Sequence, residues 1–286
     1  MKIFHFHRRV SRSLGGNLAA NLFLLIGGAF TALPLIYAIL NSFKPLNELF
    51  LYPPRFFVQN PTLENYSGLM RLQQELLVPI ERYAFNRIFI SLVTTVGYVL
   101  IAALAAYPLA KHRFRGKIFL TQLVVFAILF RSEVTAIPQY VIMAKLGMVD
   151  SYWAVILPAM ATSFGVFLMK QFMESIPAEI LESARMDGAG EWRTLWTVVM
   201  PMVKPAWLTL VIFTFQGIWN NTGVQYLYTE TYKTLPTALS QISSAGIARA
   251  GVASAIAVIL MLPPILLFLI SQGSVIETMA HSGLKE

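Results

Sequence analysis

No cysteine occurs among the 286 residues. That excludes disulfides, thiolate metal sites and cysteine nucleophiles. Charge is scarce: Asp, Glu, Lys and Arg make up 13% of the chain, about half the roughly 25% of a soluble domain. Acidic residues are the scarcer kind, 14 against 22 Lys and Arg. No segment is of low complexity, and no internal repeat of solenoid or inverted-repeat length is visible. Neither an H-E-x-x-H run nor a G-x-x-x-x-G-K-[ST] phosphate loop is present. The chain is therefore not expected to be an enzyme or to carry ATP itself. His5 and His7 are too short a pair for a metal claim, so no metal or cofactor is expected on it.

What is abundant is apolar. Hydrophobic residues make up 56% of the chain, and the mean hydropathy is +0.62. This composition indicates an integral membrane protein. The net charge of +8 is then explained by Lys and Arg on the cytoplasmic side, without nucleic acid. Six apolar segments, near 18–42, 87–110, 118–141, 152–173, 206–225 and 251–272, are long enough to cross the bilayer. Only helices satisfy their own backbone in lipid. The expected fold is all-α, six spans in one membrane domain covering residues 1–286. The first segment follows Lys2, Arg8, Arg9 and Arg12 as a signal peptide would. It is longer than an ordinary signal core and has no convincing cleavage site, so a retained span is expected.

With the N-terminus inside, thirteen of the 22 basic residues fall on the inner side and eight on the outer. The tight turn Lys111-His-Arg-Phe-Arg-Gly-Lys117 strengthens that bias. Six spans then put the tail, 273–286, inside as well. Two long outer segments remain, Lys44–Tyr83 and Tyr226–Ala250, the second opening on Tyr226, Tyr228 and Tyr232.

Between spans four and five lies a polar stretch, 174–205, that no simple connection requires. Pro177 suits the first position of a helix, and Glu179 and Glu182 lie near its positive dipole end. Ile180, Leu181 and Ala184 supply an apolar side, with Glu182 and Arg185 as its charges. Gly188 is expected to stop this helix. A second one is expected from about Gly190 to Val199, with Trp192, Leu195, Trp196 and Val199 at helical spacing, ended by Met200-Pro201. Spacing alone leaves two readings open, an interfacial hairpin without a partner and a docking surface.

The residues of this stretch resemble the cytoplasmic signature loop of ABC importer permeases, E-A-A-x-x-x-G-x9-I-x-L-P. Here it runs Glu182-Ser183-Ala184, then Gly188, then Val198-Val199-Met200-Pro201, with Ser183, Val198 and Met200 as conservative departures. The run Glu-Ser-Ala-Arg-Met-Asp-Gly-Ala-Gly-Glu-Trp resembles the carbohydrate-importer subgroup. So do Lys145 to Pro158, Trp219-Asn220 and Thr62-Leu-Glu-Asn-Tyr66. The resemblance covers nearly the whole chain and is closest to the smaller, six-span member of the maltose-type permease pair. It implies a bacterial or archaeal cytoplasmic-membrane subunit that imports a sugar, an oligosaccharide in kind, with three sets of partners. These are a second permease, two copies of a cytoplasmic ATPase that hold ATP and Mg, and an external sugar-binding protein. It also implies that the helix around Glu182 is a coupling helix inserted into an ATPase cleft, with Glu182, Ser183, Ala184, Arg185, Asp187, Gly188 and Pro201 as docking residues.

Polar residues within the spans are candidates for the cargo path. Arg131 and Glu133 interrupt the third span. At about 1.5 Å per residue Arg131 lies about 20 Å from Ile118, past the midplane. Two residues apart, they do not face each other. Lining the path of a charged sugar and pairing with the second permease both remain open. Gln216, Trp219, Asn220 and Asn221 in the fifth span suit a hydroxyl-rich ligand and equally suit hydrogen bonds between helices. A secondary transporter or channel is the rival function, but it needs no Glu182–Pro201 loop and would show repeats and more intramembrane carboxylates.

Overall fold

The computed structural model describes residues 14–72, 78–130, 132–221, 225–244 and 249–282, and every regular element among them is helical. In chain order these are α1 (Leu14–Ser42), α2 (Leu46–Leu49), α3 (Glu64–Leu72), α4 (Ile80–Lys111), α5 (Lys117–Ile128), α6 (Ser132–Lys145) and α7 (Tyr152–Met160). There follow α8 (Ser163–Glu174), α9 (Ala178–Met186), α10 (Glu191–Met202), α11 (Lys204–Asn220), α12 (Leu235–Ser244) and α13 (Ala250–Ser282). Among the described residues, four stretches are long and apolar enough to cross a membrane: Leu18–Ser42, Ile80–Lys111, Tyr152–Glu174 and Ala250–Gly273. A fifth candidate is α10 with α11, bent by 79°, and α5 is a shorter apolar helix.

Several spans expected to be continuous are interrupted. The segment at 118–141 ends as α5 at Ile128 and resumes as α6 at Ser132. The Leu129 and Phe130 amides bond three residues back, to Phe126 and Ala127, the tightened closing turn of a helix end. The segment at 152–173 is divided at Ala161-Thr162, where the Ala161 amide turns back to the Pro158 carbonyl and Thr162 is extended. The segment at 206–225 is helical only to Asn220, after which Asn221 is extended.

The chain divides into two compact units, Met1–Met70 with Ala245–Val258, and Arg71–Ser244 with Ile259–Glu286. In the first, α1 is apolar and exposed on nearly every face. The chain beyond it folds around buried polar groups. The Lys44 ammonium donates to Asn41 Oδ1 at 2.7 Å and the Arg55 carbonyl at 2.6 Å. The Glu48 carboxylate accepts the amides of Gln59 and Asn60 at 3.1 and 2.8 Å. Burial pushes the Glu48 carboxyl up, but these amides, the Asn60 side chain and Lys44 outweigh it and hold it below the usual carboxylate range. Asn65 Nδ2 donates to the carbonyls of Ser42 and Lys44, both at 2.8 Å. The segment after α1 is thus a folded element.

The second unit is built on α4, which packs against α7, α8 and α11. Its contact face is small or hydroxyl-bearing: Ser91, Thr94, Ala102, Ala103 and Ala106 are all buried. Small residues let helix backbones approach closely in the absence of a hydrophobic drive in lipid. Gly165, near the start of α8, completes that fit. Its amide donates to Tyr98 Oη at 2.6 Å, and a Cβ there would lie 2.5 Å from the Tyr98 ring. At the other end of α4, Asn86 Nδ2 donates to the Thr231 and Lys233 carbonyls at 2.8 Å each, while Tyr152 Oη donates to Asn86 Oδ1 at 2.7 Å.

Asn65→Ala leaves two buried carbonyls without a donor, a loss of about 2 kcal/mol. The purified variant should melt at lower temperature than the wild type and be cut faster by trypsin at exposed Arg55. Unchanged melting and cleavage would show that Asn65 does not hold this segment.

Candidate functional site

The polar stretch folds as α9, a turn, and α10. Pro177 stands just before α9, with extended ψ of 143°, rather than in its first turn. Its fixed φ suits that position and its absent amide costs nothing there. Gly188 has φ of +79°, a left-handed conformation that costs glycine little. The Gly188 and Ala189 amides close the helix on the Arg185 and Ala184 carbonyls, as a helix stop requires.

The second helix does not end at Met200-Pro201. It widens to π-helical turns over Thr194–Val199, continues through Pro201 to Met202, and breaks at Val203. Proline clashes with the carbonyl four residues back in a regular α-helix, and the wide π turn just before Pro201 opens that space. The reversal is fixed afterwards, where the Trp207 indole donates to the Met200 carbonyl at 3.1 Å.

The inward face of this hairpin is apolar. Leu181, Leu195 and Val199 are buried in one cluster with Ile176, Ala103, Ala106 and Tyr107. Its charged groups are fastened to the end of α4. The Glu191 carboxylate accepts Tyr107 Oη at 2.7 Å and Arg185 Nη2 at 2.9 Å, and His112 Nε2 lies 3.3 Å away. Lys111 Nζ donates to the Ile176 carbonyl at 2.5 Å and the Glu174 carbonyl at 3.4 Å. Lys117 Nζ reaches the carbonyls of Ala110 and His112 at 3.3 Å each. Both lysines sit where helix dipoles end negatively.

The outward face presents Glu182, Ser183 and Asp187, with Met186 at 89% and Trp192 at 66% exposure. Of the expected docking residues, Ala184 is half-buried and Gly188 forms the turn. Arg185 directs its guanidinium to Glu191. Pro201 is exposed near the far end of α10. Sequence reasoning missed Met186 and Trp192 as outward apolar groups, and Tyr107, Lys111, His112 and Glu191 as the clamp. Glu191 stood in the recognised run, but nothing in its spacing points to a tyrosine in a distant span.

A cavity of about 810 Å³ lies where the interrupted spans meet. Ile128 and Phe130 at the α5 end, Thr162 and Ser163 at the α8 start, and Asn221 past α11 all line it. A second, of about 460 Å³, shares Ala159, Thr162, Phe164 and Asn221 with the first. Arg131 and the Glu133 side chain lie outside the described residues. Gln216 is half-buried and Asn220 exposed; neither lines either cavity. Trp219 is buried and donates its indole N–H to the Leu260 carbonyl at 2.7 Å. Among the described candidates, Asn221 alone borders the cavities.

Arg87, expected among the outer cations, is 1% exposed. It donates from Nη1 to the Asn221 carbonyl at 2.7 Å and lies 5.6 Å from the Trp219 ring centroid. The negative end of α11 and the aromatic face offset part of the cost of burying that charge. Nearby, Asp150 takes a φ of +63° and accepts the Tyr228 and Thr229 amides at 2.8 and 2.9 Å. The Thr229 hydroxyl first, then these amides, hold its carboxyl below the usual range against the opposing effect of burial.

The model of the family described as "Binding-protein-dependent transport system inner membrane component" matches residues 82–280. "Protein LplC" of Bacillus subtilis (strain 168) is 35% identical over 212 residues, 72% of this chain and 68% of that protein. "Arabinooligosaccharides transport system permease protein AraQ" of the same strain is 27% identical over 272 residues, 94% and 95% of the two chains. The crystal structure of a bacterial ABC transporter involved in the import of the acidic polysaccharide alginate has a chain similar in fold. It aligns with a TM-score of 0.79 at 23% identity, over 93% of this chain and 99% of its own.

The Glu191 carboxyl is held below its ordinary value of 4.5, first by the Tyr107 hydroxyl and then, against burial, by Arg185 and His112. A carboxyl lowered in the folded state contributes stability that is full above its unfolded value and is lost as pH falls through the folded one. The difference in melting temperature between wild type and Glu191→Gln should therefore be present at neutral pH and shrink as the pH falls below about 4.5, the carboxyl's ordinary value. A difference that stays constant well below the ordinary value would exclude this clamp.

Proposed function

Since the chain belongs to the family of binding-protein-dependent transport system inner membrane components, we propose that it is the smaller permease subunit of an ATP-driven importer of a sugar, with an oligosaccharide as cargo. The observation that carries this reading is the α9–α10 hairpin. One face is clamped to α4 through Glu191, Lys111 and a buried leucine pair. The opposite face offers Glu182, Ser183, Met186, Asp187 and Trp192 to a partner. A short rigid helix seated in a cleft transmits rigid-body motion, where a flexible loop would not. The carbohydrate assignment draws support from the similarity to an arabinooligosaccharide permease.

In this proposal the chain is a single permease domain in a bacterial or archaeal cytoplasmic membrane. It crosses six times: by α1, α4, α5 with α6, α7 with α8, α11 and α13. Both ends lie inside, on the side of the Lys111–Lys117 turn and the hairpin. A second permease completes the pathway, and an external sugar-binding protein delivers cargo. Two copies of a cytoplasmic ATPase hold ATP and Mg, and this chain binds no cofactor. The proposed docking set is Glu182, Ser183, Ala184, Asp187 and Gly188, with Arg185 shaping it from behind and Pro201 at its margin. The proposed cargo path runs past Arg131, Glu133, Gln216, Trp219, Asn220 and Asn221. Asn221 is the member best supported, by its place on the cavity wall.

Co-purification tests the docking role. Glu182→Lys should release the ATPase while leaving the second permease bound; a variant that retains the ATPase and transports normally would refute it. Topology is tested separately, and the absence of native cysteine removes background labelling. An impermeant maleimide added to intact cells should label Tyr228→Cys and spare Arg115→Cys. The reverse pattern would overturn the orientation.

A further inference from the structure

We propose that the larger cavity is a sugar-hydroxyl subsite supplied by this subunit, read by the paired side chains of Gln139 and Tyr226. The inference rests on the sugar-importer reading above and adds a ligand site made of residues outside the expected path.

The location is the first argument. Irregular backbone at membrane depth persists only where it is buried in protein or lines a cavity, and transporter sites are commonly built from discontinuous helices. Here the α5 end, the α7–α8 break and the α11 end converge on one cavity. Its 810 Å³ falls within the roughly 300–1,000 Å³ of small-molecule sites.

The second argument is the chemistry of the wall. Its polar members include Thr135, Gln139, Thr162, Ser163, Gln225 and Tyr226, and no charged side chain lines it among the described residues. Gln139 Nε2 donates to Tyr226 Oη at 2.8 Å. That bond uses an acceptor site of the phenol and leaves its O–H to donate. It also leaves the Gln139 carbonyl oxygen to accept. A donor and an acceptor side by side are what a sugar hydroxyl, itself both, can satisfy. A site built to hydrogen-bond a hydroxyl also rejects ligands that lack it.

The third argument is rigidity. The Tyr226 ring stacks on Tyr140 with centroids 6.1 Å apart. Its carbonyl accepts the Asp150 amide at 2.8 Å, and Asp150 in turn holds the next two amides of importance, Tyr228 and Thr229. A pair held this way loses little freedom on binding, which favours affinity.

The test uses the assembled importer with its binding protein in proteoliposomes, and pooled fluorescent neutral and uronate oligosaccharides as probes. The quantity read is sugar retained per ATP hydrolysed. Gln139→Leu and Tyr226→Phe should each lower that ratio about five- to tenfold, the value of one hydrogen bond, while second permease and ATPase co-purify at wild-type levels. The double variant should lose less than the product of the two, because the residues act as a unit. A general structural defect would lower uptake and hydrolysis together and leave the ratio unchanged, which overturns the subsite. Should Gln139→Leu fail to assemble, the nearly isosteric Tyr226→Phe decides: a lowered ratio supports the subsite and an unchanged one overturns it. If the wild-type complex hydrolyses ATP with its binding protein yet retains no probe from either pool, the sugar reading fails and the subsite with it.

Discussion

A helix interrupted in an apolar surrounding frees amides and carbonyls that lipid cannot satisfy, and this requirement organises the second unit. Each interruption has groups that are answered by hydrogen bonds. Leu129 and Phe130 bond three residues back. The Ala161 amide returns to Pro158, while the Gly165 amide is taken by Tyr98. The freed carbonyl of Asn221 is met by Arg87. Two of these answers come from α4, through the Tyr98 hydroxyl and the Arg87 guanidinium. The breaks cluster around one cavity, whose wall carries residues from each of them.

The same helix ties that cavity to the hairpin. Tyr98, Arg87 and Asn86 act near the breaks and the loop beyond α11, while Tyr107 and Lys111 act on the hairpin. Both sets stand on one continuous 32-residue rod. A displacement at α9 reaches α4 through a carboxylate with three partners and a close-packed apolar contact. Close-packed contacts pass on displacement rather than absorb it. Energy delivered at the proposed ATPase face therefore has a stiff route to the interrupted spans.

The broad plan was legible from hydropathy, since length and apolar content report directly on the ability to span. The Gly188 stop was legible because glycine alone takes a φ of +79° cheaply. The interruptions were not. Ala161-Thr162 carries no glycine and no charge, so hydropathy runs straight across it, and Arg131, next to Leu129-Phe130, marked a polar position in the third span without marking a helix end. Pro201 misled for a related reason: a local rule ends the helix there, but π-helical turns made room for the ring. Trp219 and Arg87 looked like a sugar-facing aromatic and a loop cation. Partners more than forty residues away in sequence gave them buried structural contacts instead.

By itself the amino-acid order determined the class of solvent, the all-helical answer to it, and the identity of the hairpin. Each of these depends on composition or on neighbours within one or two turns. Tertiary structure alone decided which face of α9 is outward, what Glu191 holds, where the spans break and which polar groups share the cavity. Those outcomes turn on hydrogen bonds between residues as distant as Tyr107 and Glu191 or Gln139 and Tyr226. A buried donor takes whichever acceptor packing brings within reach, and no local pattern carries that information.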